Sequence, residues 1–377
     1  MTTLPEVLIV GAGFAGSVCA RELADAGFSV RVIDKRPHIG GNAWDAVDAK
    51  GVLIHPYGPH IFHTNSKEIF DWLSRFTQWR RYEHRVLARV GEDYYPLPIN
   101  RTTINKVFSL SLAEPEVAAF LDSVKLPREA IRTSEDLILG SVGSILCEMF
   151  FRNYSRKQWG LDLSELSAGV AARLPVRTND DDRYFQDTYQ YMPKAGYAAL
   201  FTCMLDHPRI EVVLGRSYED EPARASVLHT VYTGPIDGYY GYVHGHLPYR
   251  SLRFEHYHVP HAEAFVQPAA VVNYPGNEPY TRITEFRQLT GQEHSGSSLM
   301  REFPCESGDP YYPVPNEANA RIYQRYKRMA ETEAGVTFVG RLAQYQYYNM
   351  DQVVASALSK SLALAKRLHA TTQKGNA

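Results

Sequence analysis

Residues 7–16, VLIVGAGFAG, decide the fold. An apolar run typical of a buried strand passes directly into three glycines with the spacing G-x-G-x-x-G. In a dinucleotide-binding βαβ unit, Gly11 allows the sharp turn, Gly13 lets the backbone approach a pyrophosphate, and Gly16 lets the helix pack tightly on the strand. The pyrophosphate then lies at the helix N-terminus, where free N–H groups and the helix dipole attract an anion.

The residues that follow complete this unit. Apolar residues at helical spacing across 15–26, ended by Gly27, predict the helix. Alternation across 28–32 predicts a second strand that ends at Asp34, whose carboxylate can accept hydrogen bonds from ribose hydroxyls. The next loop, 35–42, holds a second glycine pair and resembles the loop beside the cofactor in two-dinucleotide-binding flavoproteins, which favours FAD over NAD.

Composition bounds the remaining classes. The chain has 377 residues, 44% of them hydrophobic, which is enough for two or three domains. The formal net charge of -2 gives no basic field for nucleic acid or an anionic membrane. No apolar run approaches the ~18 residues of a membrane-spanning helix. The four cysteines are scattered, so neither a disulfide framework nor a metal site is expected, and a reducing cytoplasm is the expected location.

The predicted fold class is α/β, with a Rossmann-like FAD-binding domain, a helical insertion and an antiparallel β-sheet domain. The FAD-binding domain is expected to be discontinuous and to comprise residues 1–80, 190–241 and 320–377. Apolar residues at three- and four-residue steps predict the helical insertion at residues 99–167. Strand-like alternation and turn residues place the antiparallel sheet domain at residues 81–98, 168–189 and 242–319.

The segment 55–63, HPYGPHIFH, concentrates histidine, glycine and proline. His60 and His63 could bind a metal, but no third ligand is evident and the spacing lacks the glutamate of zinc peptidases. Histidines hydrogen-bonded within a loop are the commoner explanation. A third is that the loop lies against a flavin ring, where a histidine would influence its protonation and redox state.

Two arginines are the best candidates for binding phosphate. Arg173 precedes Leu-Pro-Val-Arg in a predicted loop, and Arg282 follows Glu-Pro-Tyr-Thr. A guanidinium is permanently charged and can bind phosphate through two parallel hydrogen bonds, although either arginine taken alone is more often a surface residue. The aromatic stretch 150–160 suits stacking on a base and buried core equally. No catalytic triad or glycosidase acid pair can be placed, so any chemistry is expected to come from the cofactor.

Several motifs are more specific than the glycine-rich loop: HIGGNAW, YGPHIFHT, NYSRKQWG, RLPVR, YTGPID, EPYTRITE and GRLAQYQYYNMDQ. Through them the chain resembles the bacterial UDP-galactopyranose mutases over nearly its whole length. The resemblance implies an isomerase that interconverts UDP-galactopyranose and UDP-galactofuranose without net redox change. It also implies that FAD must be reduced, that its N5 forms a covalent adduct with galactose while UDP leaves, and that the product supplies cell-surface glycans.

The resemblance also implies roles for individual residues. Arg173, on a mobile loop, and Arg282 would clamp the diphosphate, and His63 would lie at the flavin ring; these three are the expected catalytic residues. The expected substrate-binding residues are Phe150, Tyr154, Trp159, Arg173, Tyr184, Phe185, Asn273, Arg282, Tyr312, Tyr347 and Asn349. The expected cofactor-binding residues are Gly11, Gly13, Phe14, Ala15, Gly16, Asp34, Lys35, Gly41, Asn42, His60, Arg341 and Met350.

Within the substrate set, the hydroxyls of Tyr184, Tyr312 and Tyr347 would bind phosphate. The residues expected to hold the uridine are Phe150, Tyr154 and Phe185. Asn349 stands where many relatives have Asp; because an amide cannot replace a carboxylate as an acid or base, no acid–base role is assigned to it. His84 stands where some relatives have Asn.

Two other functions are compatible with the glycine-rich loop. A flavin oxidase or dehydrogenase would show reduction of the flavin by its substrate. A non-catalytic module for FAD or a UDP-sugar would bind ligand without turnover. The clamping arginines and the reuse of UDP argue for the mutase. A homo-oligomer is expected, without nucleic acid or membrane insertion.

Overall fold

The computed structural model describes residues 6–172 and 175–375. Within them the strands are, in chain order, β1 (Val7–Val10), β2 (Val30–Asp34), β3 (Ala46–Val47), β4 (Leu53–Ile54), β5 (Phe62–Thr64), β6 (Trp79–Arg81), β7 (Val86–Val90), β8 (Asp93–Leu97), β9 (Tyr189–Pro193), β10 (Ile210–Leu214), β11 (His229–Tyr232), β12 (Tyr249–Val259), β13 (Val271–Asn273), β14 (Arg282–Glu285), β15 (Ser297–Cys305), β16 (Tyr312–Pro313) and β17 (Val336–Phe338).

The helices of the same residues are α1 (Phe14–Asp25), α2 (Lys67–Ser74), α3 (Arg101–Phe108), α4 (Glu114–Val124), α5 (Ser134–Leu146), α6 (Asn153–Trp159), α7 (Ala168–Ala171), α8 (Gly196–Leu205), α9 (Ile236–Tyr239), α10 (Phe286–Thr290), α11 (Glu317–Thr332) and α12 (Met350–Gly375). Short 3₁₀ turns occupy Gly41–Ala43 and Pro222–Ala225, and a π-helical turn at Cys147–Arg152 joins α5 to α6.

A parallel sheet in the order β10-β2-β1-β11-β17 forms the Rossmann-like part and confirms the predicted fold class. Helix α1 packs against both the sheet and α12, and its buried face includes Val18 and Leu23. The central strand β1 is wholly apolar and largely buried, as is usual for a parallel sheet covered by helices. Because parallel strands end at one edge, the loops after β1, β2 and β11 lie together there.

A second sheet has the order β16-β12-β15-β14-β13-β7-β8. Its pairs are antiparallel except β13 and β7, which run parallel, with Val271 opposite Val86. The expectation of an antiparallel sheet is therefore correct for all but this pair. The exception arises because β13 is far from β7 in the chain and is not its hairpin partner.

The helical insertion packs α3, α4 and α5 against the second sheet around a shared apolar core, which includes Ile104, Val142 and Phe150. Gly143 interrupts α5 with a φ of 76°, and a Cβ atom there would lie 2.3 Å from the carbonyl oxygen of Val124. Only glycine allows the end of α4 to approach α5 this closely.

A small sheet, β5-β9-β6, joins the two larger units. Strand β9 begins at Tyr189, so it crosses the expected boundary between residues 189 and 190. The domain boundaries therefore remain a proposal. Sequence reasoning also missed α11, although it is amphipathic. Within the described residues, no helix is both long and apolar enough to cross a membrane.

Candidate active site

The three glycines of the first loop have three different surroundings. Gly11 has a φ of +102°, and a Cβ atom on it would lie 2.1 Å from Thr233 Oγ1. A Cβ atom on Gly16 would lie 1.8 Å from the carbonyl oxygen of Gly11. A Cβ atom on Gly13 would meet the protein only at ordinary distances, the nearest being 3.7 Å to Gly41 Cα. Gly11 and Gly16 thus serve turning and packing, whereas Gly13 borders open space.

That open space is a cavity of about 410 Å³ at the carboxyl edge of the parallel sheet. Nearly all of the residues expected to bind the cofactor line it: Gly11, Gly13, Phe14, Ala15, Asp34, Lys35, Gly41, Asn42, His60, Arg341 and Met350. Gly16 is the exception, because it lies behind the loop, against the strand.

Asp34 is tied to the glycine-rich loop by its own carboxylate. Its Oδ2 accepts a hydrogen bond of 2.8 Å from the backbone N–H of Ala12, and its Oδ1 accepts one of 2.9 Å from the N–H of Arg36. The second glycine pair is also held there, because Gly40 N–H donates to the carbonyl of Ala12 at 2.8 Å. These bonds fix the acid and both glycine loops as one rigid edge of the cavity.

Sequence reasoning missed a charged group at the mouth of this cavity. Arg36 donates to Asn42 Oδ1 at 2.8 Å and to Asp309 Oδ2 at 2.8 Å, and Lys35 Nζ lies 3.1 Å from Asp309 Oδ1. These contacts link the loop after β2 to Asp309, in the connection between β15 and β16 of the other sheet. The sequence carries no signal for them, because Asp309 is 273 residues beyond Arg36 and in no recognisable motif.

His60 reaches the cavity as a neutral side chain. Its Nδ1 is 2.8 Å from the carbonyl of Gly58, which can only accept, so Nδ1 carries the proton. Burial lowers the pKa of His60 to about 4. Its backbone N–H donates to Nδ1 of the buried His55 at 3.1 Å. Among the described residues, no group of three or more potential ligands is placed to hold a metal.

His63 lies on β5 beside a carboxylate. Its Nδ1 is 2.9 Å from Asp187 Oδ2, and Asn65 Nδ2 donates to the other oxygen of Asp187 at 2.9 Å. The hydrogen bond from His63 lowers the pKa of Asp187. The imidazole stacks on Phe185 with ring centroids 3.6 Å apart. This arrangement fixes the ring and places the proton on Nδ1.

A row of polar side chains crosses the second sheet. Asn273, Arg282 and Glu302 are cross-strand partners on β13, β14 and β15, and directly opposed residues share one face of a sheet. Arg282 Nε is 3.6 Å from Glu302 Oε1, an ion-pair distance but too long for a hydrogen bond. Burial raises the pKa of Glu302, and Arg282 opposes the rise.

This polar row contains unsatisfied buried atoms. Asn273 Oδ1, Arg282 Nε and Glu302 Oε1 are buried and have no hydrogen-bond partner among the described residues. Such atoms are costly unless something pairs with them. Arg282 Nε and Glu302 Oε1 compensate each other only as an ion pair at 3.6 Å, so the row keeps hydrogen-bonding capacity that a polar ligand could use.

Aromatic side chains surround the polar row. Arg282 Nη2 donates to the hydroxyl of Tyr154 at 2.7 Å. Tyr312 and Tyr347 meet edge to face with centroids 5.2 Å apart, and Trp159 lies 5.7 Å from Tyr347. Burial raises the pKa values of Tyr154 and Tyr312, so both hydroxyls remain protonated and can donate to an anion.

Arg341 joins this tyrosine group to the dinucleotide cavity. Its guanidinium carbon lies 5.5 Å from the ring of Tyr312 and 5.8 Å from that of Tyr347. The same residue lines the cavity, and its Nη2 donates to the carbonyl of Tyr348 at 2.8 Å. The two candidate binding regions are therefore adjacent.

The remaining expected site residues have other neighbours than the polar row. Phe150 is 4% exposed and packs edge-on against Tyr95 of β8, in the core between the insertion and the second sheet, whereas Phe185 stacks on His63. The three side chains expected to hold the uridine thus have different neighbours, the third being Tyr154 beside Arg282. Arg173 lies outside the described residues.

Tyr184 and Asn349 are the remaining members of the expected substrate set. The backbone N–H of Tyr184 donates to the carbonyl of His84 at 2.7 Å, and its ring meets that of Phe185 edge to face. Asn349 immediately precedes α12, and its backbone N–H donates a hydrogen bond of 2.9 Å to Gln352 Oε1.

The fold and the cavity define a Rossmann-type dinucleotide-binding protein with an adjacent polar cleft. A family model of an NAD(P)-binding Rossmann-like domain matches residues 9–76, and the model of the UDP-galactopyranose mutase family matches residues 149–347. The chain belongs to the UDP-galactopyranose mutase family and is an isomerase.

Individual relatives agree with this assignment. A protein of Klebsiella pneumoniae named as a probable UDP-galactopyranose mutase is 40% identical over 361 residues, covering 94% of this chain and 93% of the relative. The dTDP-fucopyranose mutase of Escherichia coli is 37% identical, with coverage of 94% and 96%. A crystal structure of reduced UDP-galactopyranose mutase superimposes with a TM-score of 0.75 at 16% identity, covering 96% of each chain, which shows the shared fold.

Proposed function

We propose that this protein interconverts UDP-galactopyranose and UDP-galactofuranose on reduced FAD, and that the product supplies cell-surface glycans. The observation that carries the proposal is the row of Asn273, Arg282 and Glu302, with its unpartnered buried atoms, next to the dinucleotide cavity. A cleft that offers a guanidinium, an amide and tyrosine hydroxyls suits a sugar diphosphate.

FAD fits the cavity through the same features that define it. Gly13 leaves room for a diphosphate at the N-terminus of α1, and Asp34 stands where ribose hydroxyls would be bound. When bound and reduced, FAD would supply a nucleophilic nitrogen, N5, for covalent catalysis at the anomeric carbon of galactose. Arg341 and the neutral His60 line the cavity and would contact the cofactor.

The residues of the cleft would hold UDP while it is detached from the sugar. A leaving group that must return has to stay in place, and positioning of this kind is a major source of catalytic rate. Arg282 is held by Tyr154 and faces Glu302, so its guanidinium is already oriented before substrate arrives. The protonated hydroxyl of the half-buried Tyr312 can donate to a phosphate oxygen.

Several further properties that the resemblance implies remain predictions for this chain. They are the diphosphate clamp by Arg173, the approach of His63 to the flavin, the uridine contacts of Phe150 and Phe185, the cytoplasmic location and the homo-oligomeric state. Asp187 fixes the His63 ring in place, as a role beside the flavin would require.

The decisive test is turnover under controlled redox conditions. The purified protein, loaded with FAD, is incubated with UDP-galactofuranose under argon, with and without dithionite, and the sugar nucleotides are separated by anion-exchange chromatography. We expect UDP-galactopyranose to form only after reduction, or far faster. Absence of isomerisation by reduced, FAD-loaded protein would contradict the proposal, and reduction of the flavin by substrate would favour an oxidase or dehydrogenase.

The assay also needs a second substrate to test nucleotide specificity, because one relative is named as a dTDP-fucopyranose mutase. The same assay is run with dTDP-fucofuranose at equal concentration. We expect a higher kcat/KM for the UDP-sugar. A higher kcat/KM for dTDP-fucofuranose would retain the mutase chemistry and change the assigned substrate.

A further inference from the structure

Helix α6 is attached to the second sheet by two side chains on one face. Lys157 Nζ donates to three backbone carbonyls, those of Tyr274 at 2.5 Å, Glu278 at 3.0 Å and Tyr280 at 3.1 Å. Four residues earlier, Asn153 Nδ2 lies 3.0 Å from the carbonyl of Pro275 and 2.5 Å from that of Gly276. Residues four apart on a helix are neighbours on its surface, so both side chains reach the same turn.

The turn they hold, residues 274–280, connects the two strands that carry the polar row. Asn273 is the last residue of β13, and Arg282 is the first residue of β14. Helix α6 itself carries Tyr154 and ends at Trp159. The five contacts therefore connect the expected substrate-binding residues of α6, Tyr154 and Trp159, to those of the sheet, Asn273 and Arg282.

An ammonium group suits this task because it has three donors and no acceptor. All three donors of Lys157 can be used by the three carbonyls, whose positions together fix the path of the turn. Among the described residues no carboxylate lies within ion-pair distance of Lys157, although Arg152 and Arg156 of the same region pair with Asp162. The carboxylate of Glu278 attracts Lys157 from beyond ion-pair distance, so the direct contacts of the ammonium group are the three backbone carbonyls.

We propose that Lys157 is a positioning residue for the diphosphate site, and that its grip on residues 274–280 sets the alignment of Tyr154 with Arg282. The bond between these two, 2.7 Å from Arg282 Nη2 to the Tyr154 hydroxyl, spans the same junction of helix and sheet as the Lys157 contacts. This inference rests on the proposed function, since it treats Arg282 as a ligand of the substrate diphosphate.

The test compares Lys157→Met with Arg156→Met in the FAD-loaded protein. Met keeps much of the side-chain length and removes the charge in both variants, but Arg156 is exposed and contacts Asp162 rather than the turn. Affinity for UDP is measured by isothermal titration calorimetry, alongside flavin content and melting temperature. We expect Lys157→Met to weaken UDP binding about tenfold, the size of one lost charge-assisted hydrogen bond, and Arg156→Met to leave it unchanged.

A double-mutant cycle with Tyr154→Phe separates positioning from general support of the fold. If Lys157 acts through the Tyr154–Arg282 contact, Lys157→Met should weaken UDP binding less than about threefold in the Tyr154→Phe background. Equal losses in both backgrounds would overturn the inference, as would unchanged affinity in Lys157→Met. If Lys157→Met does not retain flavin, Asn153→Ala takes its place in the cycle, with the same criteria.

The outcome for the wild type distinguishes the two proposals. Failure of the wild type to bind UDP would overturn the proposed function and this inference with it. UDP binding by the wild type that Lys157→Met leaves intact would overturn the inference alone.

Discussion

A methyl group added at Gly13 is predicted to weaken FAD binding, whereas one added at Gly16 is predicted to destabilise the fold. Gly13 has φ of -79° and ψ of -172°, which alanine adopts without strain, and the added carbon would be 3.7 Å from Gly41 Cα. It would occupy space at the N-terminus of α1, where we place the cofactor diphosphate. Gly16→Ala would instead bring Cβ to 1.8 Å from the carbonyl oxygen of Gly11.

The magnitudes follow from these distances. At Gly16 the helix and the strand must separate by more than about 1 Å, and overpacking of this kind costs about 3 kcal/mol of unfolding free energy. At Gly13 the ligand-free protein should change by less than about 1 kcal/mol, in either direction. The cofactor, however, would lose a close backbone contact to its diphosphate, which corresponds to an affinity loss of about ten- to a hundredfold.

Two measurements separate the effects. Urea unfolding of the flavin-free proteins gives stability, and titration of flavin fluorescence gives the affinity for FAD. Gly169→Ala is the control, because a Cβ atom there meets nothing within 4 Å and the position lies in the short helix α7. Normal FAD affinity in Gly13→Ala, or normal stability in Gly16→Ala, would refute the assignment of these two glycines.

Three further predictions concern other parts of the molecule. Glu302→Gln removes the buried charge that faces Arg282, so UDP should bind several-fold more tightly in calorimetry while the melting temperature falls; weaker binding would show that the carboxylate assists the ligand. Asp45 accepts hydrogen bonds of 2.6 and 2.7 Å from two backbone N–H groups at the start of α8. Asp45→Ala should therefore lower the free energy of unfolding in urea by about 2 kcal/mol, and Asp45→Asn, which keeps one acceptor, by at most about half of that. Burial lowers the pKa of His84 to about 3, so the unfolded chain binds a proton that the folded chain does not as pH falls below 6.5. Stability should therefore decrease with falling pH by up to about 1.4 kcal/mol per unit from this residue, and His84→Asn should flatten the curve; an unchanged slope would contradict the assignment.

The Rossmann-like unit could be predicted because its determinants are local. Strand, glycines, helix and acid all lie within residues 7–34, and the conformation of each depends mainly on nearby residues. The loop 35–42 could likewise be placed beside the cavity, since it follows directly from the second strand. The structure adds only how tightly the two glycine loops are joined, through Gly40 and Ala12.

The polar row could not be predicted in the same way. Asn273, Arg282 and Glu302 become neighbours only through strand register, which depends on packing across the whole sheet. Glu302 therefore escaped attention, although Arg282 was recognised from its motif. The contacts of Lys157 are still harder to anticipate, because their acceptors are backbone carbonyls, which every residue possesses.

The many tyrosines also needed the structure to be interpreted. Some of them pack in the core and fix loops through their hydroxyl groups. Tyr345 donates to the carbonyl of Pro248 at 2.6 Å, and Tyr326 donates to that of Gly245 at 2.7 Å. Others, such as Tyr312 and Tyr347, lie at the cleft. Composition cannot separate these uses, because a buried tyrosine needs a hydrogen-bond partner in either setting.

The position of Arg341 gives a physical reason for the two sites to lie side by side. Gly340 packs against Ala15 of α1, with a hypothetical Cβ atom only 2.9 Å from that side chain, so the next residue is fixed relative to the glycine-rich loop. From there the Arg341 guanidinium reaches Tyr312 and Tyr347. A reaction in which the sugar moves from a nucleotide to a cofactor and back requires a constant distance between the two. Arg341 is fixed next to the glycine-rich loop and contacts the two tyrosines that we propose bind phosphate, so it would keep this distance constant.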